Sequence, residues 1–213
     1  MLSPQPSQRQ VQGGRLYLSY PAAAGTQVLS ISLSKPEELY TSPVLEGTAV
    51  QNSLTVQNGV VSVLLNRSST QTESLMLCQL DSALQPQFQQ VADQPAVSAQ
   101  AGQGVLFAAG SSADSAVQIS LQTGKAEQVA LPQGSTVLLP VQGQLYAAVP
   151  QGENTLLYRC AANELPQQAG SIPANTQALL LPVPDASKLL VQQGGELVSY
   201  TLPDITVKGS MLL

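Results

Sequence analysis

Apolar residues along the chain come in short runs of four to six, separated by turn residues, and no segment carries a sustained apolar stripe of helical period. Strict alternation is clearest in Val28-Leu29-Ser30-Ile31-Ser32-Leu33, which predicts a strand with Leu29, Ile31 and Leu33 facing inward and the serines outward. The stretch from Thr136 to Cys160 shows how such runs follow one another. Thr136–Val141 predicts one strand, Gln144–Val149 a second after a Gln-Gly turn, and Thr155–Cys160 a third after a polar loop. A weaker fourth strand closes such a unit, as Glu127–Leu131 does for the unit before. The 15 Pro and 16 Gly, spread along the chain, suit many short strands joined by tight turns.

The same short pattern recurs five times: a small or β-branched residue, usually Gln, a turn with Gly, then an apolar pair. It reads Val11-Gln12-Gly13-Gly14-Arg15-Leu16-Tyr17, Val56-Gln57-Asn58-Gly59-Val60-Val61 and Ala99-Gln100-Ala101-Gly102-Gln103-Gly104-Val105-Leu106-Phe107. It returns as Val141-Gln142-Gly143-Gln144-Leu145-Tyr146 and, diverged, as Val183-Pro184-Asp185-Ala186-Ser187-Lys188-Leu189-Leu190. The leading residues stand at 11, 56, 99, 141 and 183, giving steps of 45, 43, 42 and 42. Four short strands in a unit of this length form the blade of a β-propeller. The expected fold is therefore all-β and propeller-like, with about five blades of four antiparallel strands. Its units fall near 8–47, 48–96, 97–134, 135–176 and 177–213. Residues 1–10 are expected to be a polar N-terminal tail or a seam strand, and 11–213 a single domain.

Gln118-Ile119-Ser120-Leu121-Gln122-Thr123-Gly124-Lys125-Ala126 resembles the strand-and-turn segment of quinoprotein-like propeller repeats, and Gly104-Val105-Leu106-Phe107 is similar to the strand before it. The resemblance covers all five units as a pattern and implies the architecture. The Thr-Gly turn occurs once, and the blade tryptophans and the residues that hold the quinone and metal in that family are missing. None of its dehydrogenase chemistry is implied here.

Two closures fit the length: a five-bladed ring, or a piece of a six- to eight-bladed one. Met211, Leu212 and Leu213 are expected either to be buried at a seam or to mark a cut.

Composition narrows the function. Of 213 residues 43% are hydrophobic and 10% charged, with a net charge of −5. Eight cations in all argue against nucleic acid or an anionic membrane as a partner. Without His, triads and His-ligated zinc drop out. No stretch approaches the ~18 consecutive apolar residues of a membrane helix. An extracytoplasmic setting is mildly favoured by composition.

Cys78 and Cys160 fall in third strands of non-adjacent units, too far apart to pair, and read as buried structural thiols. The carboxylates lie in turns rather than in the leading strands, where a propeller glycosidase would place its acid pair. Gly110-Ser111-Ser112-Ala113-Asp114-Ser115 has hydroxyls but no base and too few oxygen ligands for Ca²⁺.

Recognition is expected on the loops between second and third strands, since loops on a rigid scaffold carry most binding sites. The candidates there are Asn66, Arg67, Thr70, Asp114, Glu153 and Asn154, with no metal and no cofactor. The expected function is non-enzymatic: a binding or scaffold module for a protein or small polar ligand. The alternatives are a carbohydrate-active propeller enzyme and a structural piece of a larger propeller protein.

Overall fold

A computed structural model describes residues 5–69, 72–111, 114–183 and 187–213. Every regular element is a strand, and the strands form five antiparallel sheets in chain order. The first sheet comprises β1 (Gln8–Gln12), β2 (Arg15–Ala22), β3 (Gly25–Ser32) and β4 (Leu39–Thr41). In the second, β7 (Val60–Ser68) pairs with two short strands, β5 (Thr48–Ala49) and β6 (Thr55–Gln57), and is followed by β8 (Glu73–Leu80) and β9 (Pro86–Ala92). The third runs β10 (Ser98–Ala101), β11 (Val105–Ala109), β12 (Ser115–Ser120) and β13 (Ala126–Ala130). The fourth holds β14 (Val137–Val141), β15 (Gln144–Gln151), β16 (Asn154–Cys160) and β17 (Gln167–Ile172). The fifth holds β18 (Leu179–Val183), β19 (Lys188–Gln193), β20 (Glu196–Thr201) and β21 (Thr206–Leu212).

The recurring Gln-Gly pattern is the hairpin between first and second strands. Gln12 pairs with Arg15, Gln57 with Val60 and Val141 with Gln144, so each loop has two residues. Both loop residues have positive φ: Gly13 and Gly14, Asn58 and Gly59, Gln142 and Gly143. Two-residue hairpins of that twist demand left-handed backbone, which explains Gly or Asn in nearly every such position. Residues 8–10 belong to β1, and the Gln8 side chain anchors it. Its amide donates to the Val50 carbonyl at 2.9 Å, and its oxygen accepts from the Leu54 amide at 2.8 Å.

The chain divides into two compact units, one of residues 1–99 with 119–126, the other of residues 100–118 with 127–213. In the first unit, Tyr17 and Val28 pack with Val61, Val63, Leu65, Met76, Cys78 and Leu80 of the second sheet. In the second unit, Phe107, Ala116 and Val129 meet Leu145, Ala147 and Cys160. The other face of that fourth sheet, with Leu139, Tyr146, Ala148 and Leu157, meets Leu180, Leu189, Val191 and Tyr200.

The alternation in β3 runs opposite to expectation. Thr26, Val28, Ser30 and Ser32 are buried, Leu29 and Ile31 are half-buried, and Leu33 is 55% exposed. The interior face tolerates hydroxyls because they are matched. Thr26 Oγ1 donates to the Gly47 carbonyl and accepts from the Ala49 amide, and Ser30 Oγ accepts from Arg15 Nε at 2.7 Å. Burying a hydroxyl is costly only when it lacks a partner. Met211, Leu212 and Leu213 are exposed, Leu212 to 85%, so the expected burial at a seam does not occur.

Carboxamides join successive sheets within the units. Gln79 Nε2 donates to the Leu121 carbonyl at 2.7 Å, and Gln89 Nε2 to that of Gly124 at 3.1 Å. Asn66 bonds Ala96 twice, from Nδ2 to its carbonyl and from its amide to Oδ1. The Asn175 amide donates to Gln193 Oε1 at 2.7 Å.

Three substitutions test this framework. Gln79→Ala leaves the Leu121 carbonyl short of a donor and is expected to lower unfolding free energy by about 1–2 kcal/mol, whereas exposed Gln122→Ala stays within about 0.5 kcal/mol. Gly25→Ala is harsher. Gly25 has φ +149°, and a Cβ there would collide with the Leu45 carbonyl oxygen, so a loss above about 2 kcal/mol is expected. Denaturant midpoints at constant m-value measure all three.

Candidate functional site

The structure places the nominated residues differently from one another. Asn66 and Arg67 are not in a loop but near the end of β7, because that strand runs on to Ser68 in register with β8. Asn66 is spent on its two bonds to Ala96. Arg67 lies over the Phe88 ring at 5.1 Å from the centroid and pairs with Glu46 at 3.3 Å. Its Nε is buried without a hydrogen-bond partner. Both side chains therefore brace the second sheet. Thr70 lies outside the described residues.

In the second unit, Asp114 is exposed, and its backbone carbonyl accepts from the Leu131 amide at 2.8 Å. Glu153 and Asn154 are exposed at the β15–β16 hairpin. Asn154 is already the first residue of β16, and pairing of Gln151 with Asn154 leaves a loop of only two residues. Such a hairpin presents little surface of its own.

The nucleophile candidates are disabled by their surroundings. Both thiols are free and buried. Burial pushes the Cys78 thiol up to about 12, with Arg67 opposing the shift slightly, and the Cys160 thiol up to about 11. At neutral pH both remain S–H, and the reactive form of cysteine is the thiolate.

The polar cleft of the second unit opens elsewhere. It occupies about 330 Å³ and is lined by Gln118, Gly143, Gln144, Arg159, Ala161, Ala162 and Glu164. In the fourth sheet the β14–β15 turn and the β16–β17 connection lie at one end, and the β15–β16 hairpin with Glu153 lies at the other. The cleft is thus at the end opposite to the loops favoured from sequence. Gln144 enters as the first residue of β15, straight after the left-handed Gln142-Gly143 turn. Arg159 comes from β16, opposite Tyr146 on one side and Gln167 on the other. One of its Nη atoms donates to Gln167 Oε1 at 2.9 Å, which holds the guanidinium toward β17. Glu164 follows in the β16–β17 connection, its amide donating to the Ala161 carbonyl at 3.3 Å.

The lining offers one guanidinium, one carboxylate and two carboxamides, between walls of Gly and Ala. Neither Arg159 nor Glu164 is among the candidates drawn from the sequence. The available signal was the closeness of these two opposite charges around a third-strand end.

Among the described residues no group of three or more Cys, Asp or Glu is placed to hold a metal ion, and no helix is long and apolar enough to cross a membrane. No protein-family model matches the sequence, and no curated protein sequence does either. Solved structures do match. Apo AztD from Citrobacter koseri aligns with TM-score 0.60 at 8% identity, over 100% of this chain and 72% of that one. An acylaminoacyl peptidase from Pyrococcus horikoshii aligns with TM-score 0.63 at 12% identity, over 97% of this chain and 39% of that one. YCF48, solved with a D1 peptide, aligns with TM-score 0.56 at 12% identity, over 90% and 61%. AztD and YCF48 are β-propellers, and the present chain is a β-propeller repeat protein whose five sheets correspond to five blades. At these identities the likeness carries the fold alone.

The thiols give a prediction with a definite sign. Their folded values lie above the ordinary 9.0, so the folded state keeps protons that the unfolded state loses. The contribution is complete below pH 9 and declines as pH rises toward about 11 to 12. The slope is at most about 1.4 kcal/mol per pH unit for each thiol. Urea denaturation at pH 8, 9 and 10 is expected to show this fall, and a Cys78→Ala, Cys160→Ala double variant to show a shallower one.

Proposed function

We propose that this chain is a non-enzymatic binding module of propeller fold, and that the cleft around Arg159 is its ligand site. The observation that carries the reading is the make-up of that cleft. Glu164 is its one carboxylate, whereas hydrolysis of a glycosidic bond takes two. No hydroxyl or thiol lines it, so an activated Ser, Thr or Cys nucleophile is not at hand there. What remains, a guanidinium, a carboxylate and two amides, suits recognition of a polar solute by hydrogen bonds. YCF48 was solved with a peptide bound, which supports binding as a use of this fold by analogy only. An extracytoplasmic setting belongs to the same proposal and is supported by the low-charge, amide-rich composition.

Thermal denaturation against a library of amino acids, short peptides, sugars and small organic acids tests the reading. A ligand at a hundredfold excess over its Kd is expected to raise the Tm by roughly 5–10 °C. It is expected to be recovered chemically unchanged and to lose its effect on Gln144→Ala and Arg159→Gln. Consumption of the ligand with turnover, abolished by Glu164→Gln, would show an enzyme instead. A library without any stabilising member would also end the proposal.

A further inference from the structure

Resting on that binding reading, we infer that the Arg159 cleft recognises the zwitterionic main chain of an α-amino acid or short peptide, with the ligand's carboxylate on Arg159 and its ammonium on Glu164.

The argument begins with how this molecule uses its amides. Roughly one residue in eight is glutamine, and Gln8, Gln27, Gln79, Gln89 and Gln193 are all committed to backbone groups. At the cleft, Gln118 is half-buried and Gln144 is exposed. A carboxamide offers both a donor and an acceptor, the complement of a peptide unit's C=O and N–H. The two that line the cleft can therefore meet a ligand that carries both.

The charged pair adds direction. Arg159 spends one donor on Gln167, which fixes the plane of the guanidinium. Its remaining N–H groups keep the forked geometry that suits a carboxylate better than a lysine would. Glu164 is exposed at the same cleft and supplies the opposite charge. A ligand with both charges satisfies both residues, while an anion leaves Glu164 unmatched and a cation leaves Arg159 unmatched. The overall charge of −5 points the same way, since it repels anions at long range but exerts no net force on a neutral zwitterion. Gly143, Ala161 and Ala162 leave the cleft about 330 Å³, at the small end of ligand sites.

Isothermal titration calorimetry on the full chain at low salt, with peptides that carry no side chains, tests this. Triglycine is expected to bind, and triglycine amide and N-acetyltriglycine to bind about tenfold more weakly or worse. Arg159→Gln is expected to weaken triglycine by a similar factor and to remove the penalty of amidation. Glu164→Gln is expected to remove the penalty of acetylation. Glycine as a separate ligand distinguishes the sources: affinity equal to triglycine identifies a free amino acid, weaker affinity a peptide.

Melting curves check that Arg159→Gln is folded. If it is not, exposed Gln144→Ala and the two capped peptides carry the test. No heat from either triglycine or glycine, or equal affinity for capped and uncapped forms, overturns the inference. If the solute library yields a ligand that is lost on Arg159→Gln while neither zwitterion binds, the binding reading stands and this inference alone falls.

Discussion

A four-stranded sheet that is apolar on both faces cannot stand in water by itself, and the rest of this structure follows from that. Strand β15 shows it most plainly: Leu145, Tyr146, Ala147 and Ala148 are buried in succession, although alternate residues point to opposite faces. Leu145 and Ala147 are covered by the third sheet, and Tyr146 and Ala148 by the fifth. The fourth sheet thus draws its stability from the sheets on either side, as expected of repeat architectures whose single units cannot bury their own surface. Buried apolar faces also dictate short connections. Two-residue hairpins of left-handed backbone keep neighbouring strands in register, and a slip by one residue would exchange the two faces.

Stacking sheets this closely leaves backbone groups at their margins without partners in their own sheet. The chain meets the need with side chains that are polar but neutral. Gln8, Gln79, Gln89, Asn66 and Gln193 reach from one sheet or its connection to the next. Three of the cations serve within sheets. Arg15 lies over Tyr40 and Arg67 over Phe88, in each case running from the second strand to an aromatic ring on the fourth. Arg159 reaches from the third strand to Gln167 on the fourth. Such contacts pin the outermost strand, which has a partner on one side only.

The architecture was legible because it is written in local terms. A turn that requires positive φ leaves Gly or Asn behind, as at Gly13-Gly14, Asn58-Gly59 and Gln142-Gly143, and the recurrence of the surrounding pattern at near-constant spacing marks successive sheets. The facing of individual strands was less legible. In β3 the hydroxyls turn inward because Gly47, Ala49 and Arg15 supply their partners, and these lie up to 23 residues away along the chain. Period-two alternation reports polarity, and polarity stops predicting exposure once a buried hydroxyl is matched. The site was harder still. Asn66 and Arg67 look like loop residues because polar residues surround them, yet β7 and β8 continue their pairing to Ser68 and Glu73. The cleft joins Gln118 to residues some 25 to 46 positions later, a juxtaposition set by the stacking of two sheets and by no motif in either.

The amide stitching has a consequence for the environments in which this fold persists. Carboxamides neither gain nor lose protons across the range where carboxylates titrate, and bonds between neutral groups are not weakened by dissolved ions as charge pairs are. The chain has no histidine, and its described ion pairs, Lys35–Glu38 and Arg67–Glu46, each have a largely exposed member. The carboxamide-to-backbone bonds between sheets are therefore nearly blind to acidity and salinity, unlike the bond from Asn163 Nδ2 to the Glu127 carboxylate at 3.4 Å. Such bonds hold as the surrounding ionic composition changes, where a module stapled by salt bridges would loosen and tighten with it.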